Sequence, residues 1–179
     1  MKFAIISDTH DNLATLEKAV NWMNKNNIEE IIHCGDICSP DTLKELSKMF
    51  PGKIHVVFGN IDEDIFSIRK KHSEGQTLNV ILYGDLGKLE KDSLKISFVH
   101  HPKLARTLAG SGNYDLVFYG HTHKPWEEKV SACRLINPGN LSNTLYKASF
   151  AVYDTKSDQL ELKILETLEG DTDTQITPG

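Results

Sequence analysis

Short apolar runs alternate with amphipathic stretches along this chain, and the alternation predicts its layout. Residues 3–6 are continuously apolar, as expected of a buried strand. Residues 12–26 carry Leu13, Leu16, Ala19, Val20 and Met23 at helical spacing, with Asn12 placed to cap the first turn. Residues 30–34, centred on Ile31 and Ile32, read as a second strand. Ser39 as cap and Pro40 at the first helical position then open a helix bearing Leu43, Leu46 and Met49. Pro51 and Gly52 break it, and residues 54–58 form a third strand. Strand–helix units in succession predict parallel strands joined by crossover helices, an α/β architecture.

Past a short helix over residues 64–71 the pattern changes. Residues 78–82, 88–89 and 94–99 read as antiparallel strands, joined by turns at Gly84 and Asp85 and at Asp92 and Ser93. Residues 103–108 are expected to be helical, residues 116–119 a strand, and residues 134–136, 150–153 and 160–165 mostly β. The tail, residues 169–179, is rich in Thr, Asp and Gly and is expected to be disordered. That leaves residues 1–168 as one domain, with no repeat and no linker.

Composition changes this picture little. The chain has 179 residues, 39% hydrophobic and 25% charged, which suits an ordinary globular protein with a core that needs no staples. A net charge of −5 and an arginine set limited to Arg69, Arg106 and Arg134 argue against nucleic acid and anionic membranes as partners. Cys34, Cys38 and Cys133 form neither a disulfide framework nor a CxxC pair, and free thiols fit a reducing compartment. With no signal-like or membrane-spanning run, the expected location is cytoplasmic.

The chemistry lies at the predicted strand ends. Asp8-Thr-His10, Gly35-Asp36, Gly59-Asn60-Ile-Asp62, His100-His101 and Gly120-His121-Thr-His123 each follow an apolar strand. In open α/β sheets the carboxyl ends of strands are where ligands bind. Taken singly, Asp8 and Asp36 are ordinary turn or cap residues, and His121 and His123 ordinary loop histidines. As an ordered series they supply carboxylate, amide and imidazole donors suited to borderline divalent metals, and so point to a two-metal hydrolase.

In that order, and with Asn137-Pro-Gly139 behind them, these motifs resemble the calcineurin-like metallophosphoesterase superfamily, over residues 2–140. The compact size is similar to its small stand-alone phosphodiesterases and to the retromer subunit that shares their fold. The resemblance implies two mixed β-sheets in a sandwich flanked by helices, a four-layer α/β/β/α arrangement. It implies that Asp8, His10 and His123 hold one divalent ion, and Asn60, His100 and His121 a second, with Asp36 bridging. The ions would be Mn²⁺, Ni²⁺, Fe²⁺ or Zn²⁺, and a metal-bridging hydroxide would attack a small phosphoester. A homodimer is a further implication. The alternative within the same family is a non-catalytic protein-interaction scaffold; such relatives lose metal ligands, whereas here every position is filled.

Two positions depart from the family pattern. Ile61 stands where many relatives carry a proton-donating histidine, which favours substrates with good leaving groups. His101 replaces a usual glycine; it is either a tolerated loop substitution or a proton donor. Beyond these motifs, His33 reads as a structural neighbour of the site, and His55 and His72 as surface residues. Trp22 reads as a packing residue, and Trp126 as either packing or the rim of a pocket. Lys124 is either solvated or near enough to touch phosphate.

Overall fold

The computed structural model describes residues 1–62, 65–75 and 77–168. The predicted disordered tail lies outside the described residues. Five strands at the predicted positions recur: β1 (Lys2–Ile6), β2 (Glu30–His33), β3 (Lys53–Val56), β6 (Leu94–Val99) and β7 (Leu116–Phe118). Between and after them come α1 (Leu13–Lys25), α2 (Pro40–Met49), α3 (Ile65–Ser73), β4 (Val80–Leu82), β5 (Leu86–Lys91) and α4 (Pro102–Gly110). The chain closes with β8 (Trp126–Val130), β9 (Cys133–Asn137), β10 (Ser149–Asp154), β11 (Gln159–Ile164) and α5 (Leu165–Leu168). Asn12 Oδ1 accepts from the Thr15 N–H and Ser39 Oγ from the Thr42 N–H, so both expected caps are made.

The strands form two mixed sheets. The six-stranded one runs β11-β10-β1-β2-β3-β4, parallel from β1 to β4 with β10 and β11 antiparallel. The five-stranded one runs β5-β6-β7-β9-β8, parallel from β6 through β9 and antiparallel at both edges. Because β1 and β7 are covered on both faces, their buried residues are apolar without alternation. In β1, Ala4 and Ile6 face Leu16, Ala19, Val20 and Leu43 of the helical layer, while Phe3 and Ile5 join Phe98, Phe118 and Ile136 between the sheets. Ala105 and Ala109 of α4 cover the far side of the second sheet against Val99, Val117 and Leu135. The result is the four-layer sandwich anticipated from the motifs. No helix among the described residues is long and apolar enough to cross a membrane.

Three expectations fail. The strand at 78–82 was expected to pair antiparallel with the segment after Gly84; β4 instead runs parallel to β3 at the edge of the other sheet. The Gly84 turn, at φ +78°, carries the chain from one sheet to the next rather than closing a hairpin. The Asp92 and Ser93 turn does close the β5–β6 hairpin, both residues having the positive φ that such turns need. The second failure is β8, a strand the sequence did not reveal because Glu127, Glu128 and Lys129 mask it; charge of this kind is usual on an edge strand. The third is His55, read as a surface residue. It is buried, bonding Tyr83 Oη and Glu30 Oε2 at 2.9 Å each, and Lys91 of the other sheet completes the group.

Candidate active site

The carboxyl ends of β1, β2, β3, β6 and β7 open to one end of the sandwich, and the five polar clusters meet there. Backbone hydrogen bonds lace the loops together: Asp8 N–H to Gly35 O at 3.0 Å, His10 N–H to Asp36 O at 3.1 Å and Gly120 N–H to His100 O at 3.1 Å. Asp8, His10, Asp36, His121 and His123 all adopt left-handed backbone, with φ of 53°, 48°, 58°, 70° and 59°. Each such non-glycine residue costs on the order of 1 kcal/mol, a strain typical of sites whose surroundings over-determine the backbone.

The side chains converge. His10 Nε2 lies 3.8 Å from Asp8 Oδ1 and 3.7 Å from Asp36 Oδ2, and His123 Nε2 lies 3.4 Å from Asp8 Oδ1. His100 Nε2 lies 3.4 Å from Asp36 Oδ2. Asn60 Oδ1 sits 2.8 Å from both His100 Nε2 and His121 Nδ1. Three groups, Asp8 with His10 and His123, Asp8 with Asp36 and His100, and His100 with His101 and His121, each bring their donor atoms within 4.8 Å of one another. His100 is buried and faces Asn60 and Asp36. The exposed His101 holds its ring 5.1 Å from that of His100 and 4.9 Å from that of His121.

The electrostatics favour positive charge at this end. The facing Asp8 carboxylate raises the pKa of His10 against the effect of burial, with Asp36 adding to it. Burial works against charge on His100, yet the Asp36 carboxylate more than offsets it and raises that pKa too. Burial would likewise raise Asp36, but His100 and the Ile61 N–H pull it below its ordinary value. His121 goes the other way, lowered by burial and by the neighbouring His100 and His101.

The donor set fits divalent cations on two observations. His10 Nε2 is shielded and has no hydrogen-bond partner among the described residues. His100 Nδ1 lies 2.9 Å from the Cys34 carbonyl, which fixes the Nδ1–H there and turns Nε2 toward Asp36 and Asn60, the orientation that metal-binding histidines show.

Supporting residues surround this set, and of these Asp11 and Asn140 lie outside the residues the motif reading used. Asp62 is buried and accepts three backbone N–H groups, Gly59 at 2.6 Å, Cys38 at 2.7 Å and Asp36 at 3.0 Å, so it clamps two site loops. Its only signal was its place two residues after Asn60. Asp11 similarly ties α2 to the first loop by accepting from Ser39 and Thr42. Asn137 Nδ2 donates to Gly120 O and Thr122 Oγ1, and Asn140 Nδ2 to His123 O, which gives the Asn-Pro-Gly motif its task. His33 is wholly buried with Nε2 2.8 Å from Thr9 Oγ1 and Nδ1 accepting from the Gly35 N–H, as its structural reading anticipated.

Comparison with known proteins gives this geometry its context. The calcineurin-like phosphoesterase superfamily domain matches residues 1–158. Phosphodiesterase MJ0936 of Methanocaldococcus jannaschii is 34% identical over 169 residues, covering 93% of this chain and 100% of its own. Among solved structures, that of an archaeal phosphodiesterase superposes with a TM-score of 0.83 at 32% identity, over 92% of this chain and 99% of its own. Vps29 of Chaetomium thermophilum shares the fold at a TM-score of 0.68 and 14% identity, over 92% and 94%.

Proposed function

We propose that this chain, which belongs to the calcineurin-like phosphoesterase superfamily, is a phosphodiesterase that acts on a small phosphoester with two divalent ions held at the strand ends. The observation that carries the reading is the convergence of Asp8, His10, Asp36, Asn60, His100, His121 and His123, with donor atoms within 4.8 Å in overlapping groups. One ion falls to Asp8, His10 and His123, the other to Asn60, His100 and His121, with Asp36 between them. Mn²⁺, Ni²⁺, Fe²⁺ and Zn²⁺ all suit such mixed oxygen and imidazole donors. Bound ions supply Lewis acidity and a water of lowered pKa.

The chain's own groups do the rest. Two carboxylates, Asp8 and Asp36, leave net positive charge when facing two divalent ions, which draws an anionic phosphoester into an acidic protein. Cys34 O holds the His100 ring in place, and the Asp62 clamp holds the Asp36 backbone. Ile61 offers no proton to a leaving group, which favours diesters with stable leaving groups over alkyl monoesters. His101 is the imidazole left to donate one. Free thiols at Cys34, Cys38 and Cys133 accord with a reducing, cytoplasmic setting.

The test is hydrolysis of bis-p-nitrophenyl phosphate against p-nitrophenyl phosphate by chelator-stripped protein, with Mn²⁺, Ni²⁺ or Zn²⁺ restored, beside Asp36→Asn. Metal-dependent diester cleavage that drops by about 10²-fold or more in the variant supports the reading. Two ions bound with no turnover on either ester would point instead to a scaffold role.

A further inference from the structure

An aromatic cleft adjoins the loop that carries His121 and His123, and the chemistry above does not use it. Tyr119, Trp126 and Tyr146 line it together with Thr122 and Lys124, around a volume of about 300 Å³. Trp126 is 49% exposed and Tyr146 45%, whereas Phe98, Phe118 and Tyr153 are buried in the core. Two wide rings left half in water beside a polar site are a feature of ligand pockets rather than of packing.

The loop bearing Tyr146 is held in place at a cost. Leu145, which precedes it, is 87% exposed and has φ +65°, a strained arrangement for leucine. The fastenings run to the candidate metal site. Asn140 Nδ2 donates to the carbonyls of both His123 and Tyr146, at 3.1 and 3.4 Å, and Thr144 Oγ1 stands 3.3 Å from His123 Nδ1. On the other wall, Thr122 lies between His121 and His123 in the chain and accepts from Asn137 Nδ2. The cleft is thus one residue removed from two candidate ligands, about 4 Å along the backbone.

We infer that this cleft seats the base of a small nucleotide phosphodiester, an inference that rests on the phosphodiesterase reading. Exposed aromatic rings take a planar base by stacking whatever its sequence identity. Lys124 Nζ, 5.2 Å from the Trp126 ring centroid, adds positive charge beside the same ring. A net charge of −5 selects against a polynucleotide and for a small substrate. In the reaction water adds across one P–O ester bond: its oxygen joins phosphorus, and one proton passes to the departing alcohol. The base stays seated while the neighbouring site carries this out.

Two measurements decide it. Wild-type protein loaded with Mn²⁺ is given the p-nitrophenyl ester of thymidine monophosphate and ethyl p-nitrophenyl phosphate, which release the same phenolate. The expected kcat/KM ratio favours the nucleotide by about tenfold, and that preference falls toward unity in Trp126→Ala and Tyr146→Ala while Trp22→Phe retains it. Equal use of both substrates by the wild type, or a preference that survives both alanine variants, overturns the inference and leaves the phosphodiesterase reading standing. Turnover of neither substrate removes that reading instead. The second measurement needs no turnover. In Trp22→Phe protein Trp126 is the sole tryptophan, and its fluorescence should be quenched saturably by adenosine monophosphate but not by ribose phosphate. Absence of quenching by adenosine monophosphate, or equal quenching by ribose phosphate, overturns the cleft as a base site whatever the enzyme assays show.

Discussion

His101 stands at the N-cap of α4 without making a capping hydrogen bond, its ring 4.9 Å from that of His121. An exposed imidazole beside candidate ligands is placed to move a proton. We expect His101→Gln to lower kcat by about 10²-fold on diesters with alkyl leaving groups and far less on p-nitrophenyl esters, whose departure needs no proton. The same loss on both would assign His101 to structure or metal binding. Gly120 answers to a different constraint. A Cβ there would collide with Ser7 Oγ and crowd Asp8 Oδ2, so Gly120→Ala should cost about 1–3 kcal/mol in urea unfolding and abolish turnover. The sequence put a glycine before three of the candidate ligands but could not distinguish a close approach from an ordinary turn. The difference lies in Ser7 and Asp8, more than a hundred residues away.

Between the elements, Asp62 does for the loops after β2 and β3 what a cap does for a helix. It collects N–H groups from Asp36, Cys38 and Gly59 that would otherwise be buried without partners. Asp62→Ala should therefore destabilise by about 2–4 kcal/mol in chemical denaturation. It should also weaken metal uptake, measured as bound ion per chain, although Asp62 belongs to neither proposed ligand set. Destabilisation with full metal stoichiometry would show that Asp36 keeps its place without the clamp. The helices α1 and α2 were legible because burial on one face is written in local spacing, and β1 through β3 because strands covered on both faces show as short apolar runs. The pairing of β4 was not, since Val80 and Leu82 suit an edge of either sheet and the crossover through α3 decides between them. Nor was β8, whose strand character comes from pairing with β9 rather than from its own charged residues.

For the whole molecule, folding sets a pH dependence through His33. Full burial pushes its pKa down from 6.5 to about 4, so the folded state resists protonation that the unfolded chain accepts. The stability this group contributes is complete above pH 6.5 and is lost as pH falls from 6.5 toward 4. His10 and His100 are shifted upward, so their contribution is present below pH 6.5 and lost above it, outside this window. Metal-free wild type should lose on the order of 2–3 kcal/mol more than His33→Gln between pH 7 and pH 4.5, compared by urea denaturation. An equal loss in both would mean that His33 does not govern the acid limb.

At this scale the division between sequence and tertiary structure is plain. The order of apolar and amphipathic segments determined the α/β layers. The donors at the strand ends determined the metal-binding character expected of the site, because both depend on residue type and local spacing alone. Which sheet β4 joins, the left-handed backbone at Asp8, His10, Asp36, His121 and His123, and the aromatic cleft beside them were decided only by the folded chain. Several of these depend on partners well removed in sequence, Asn140 for His123 and Asp62 for Asp36. Local periodicity carries no record of such pairings until the sheets bring them together.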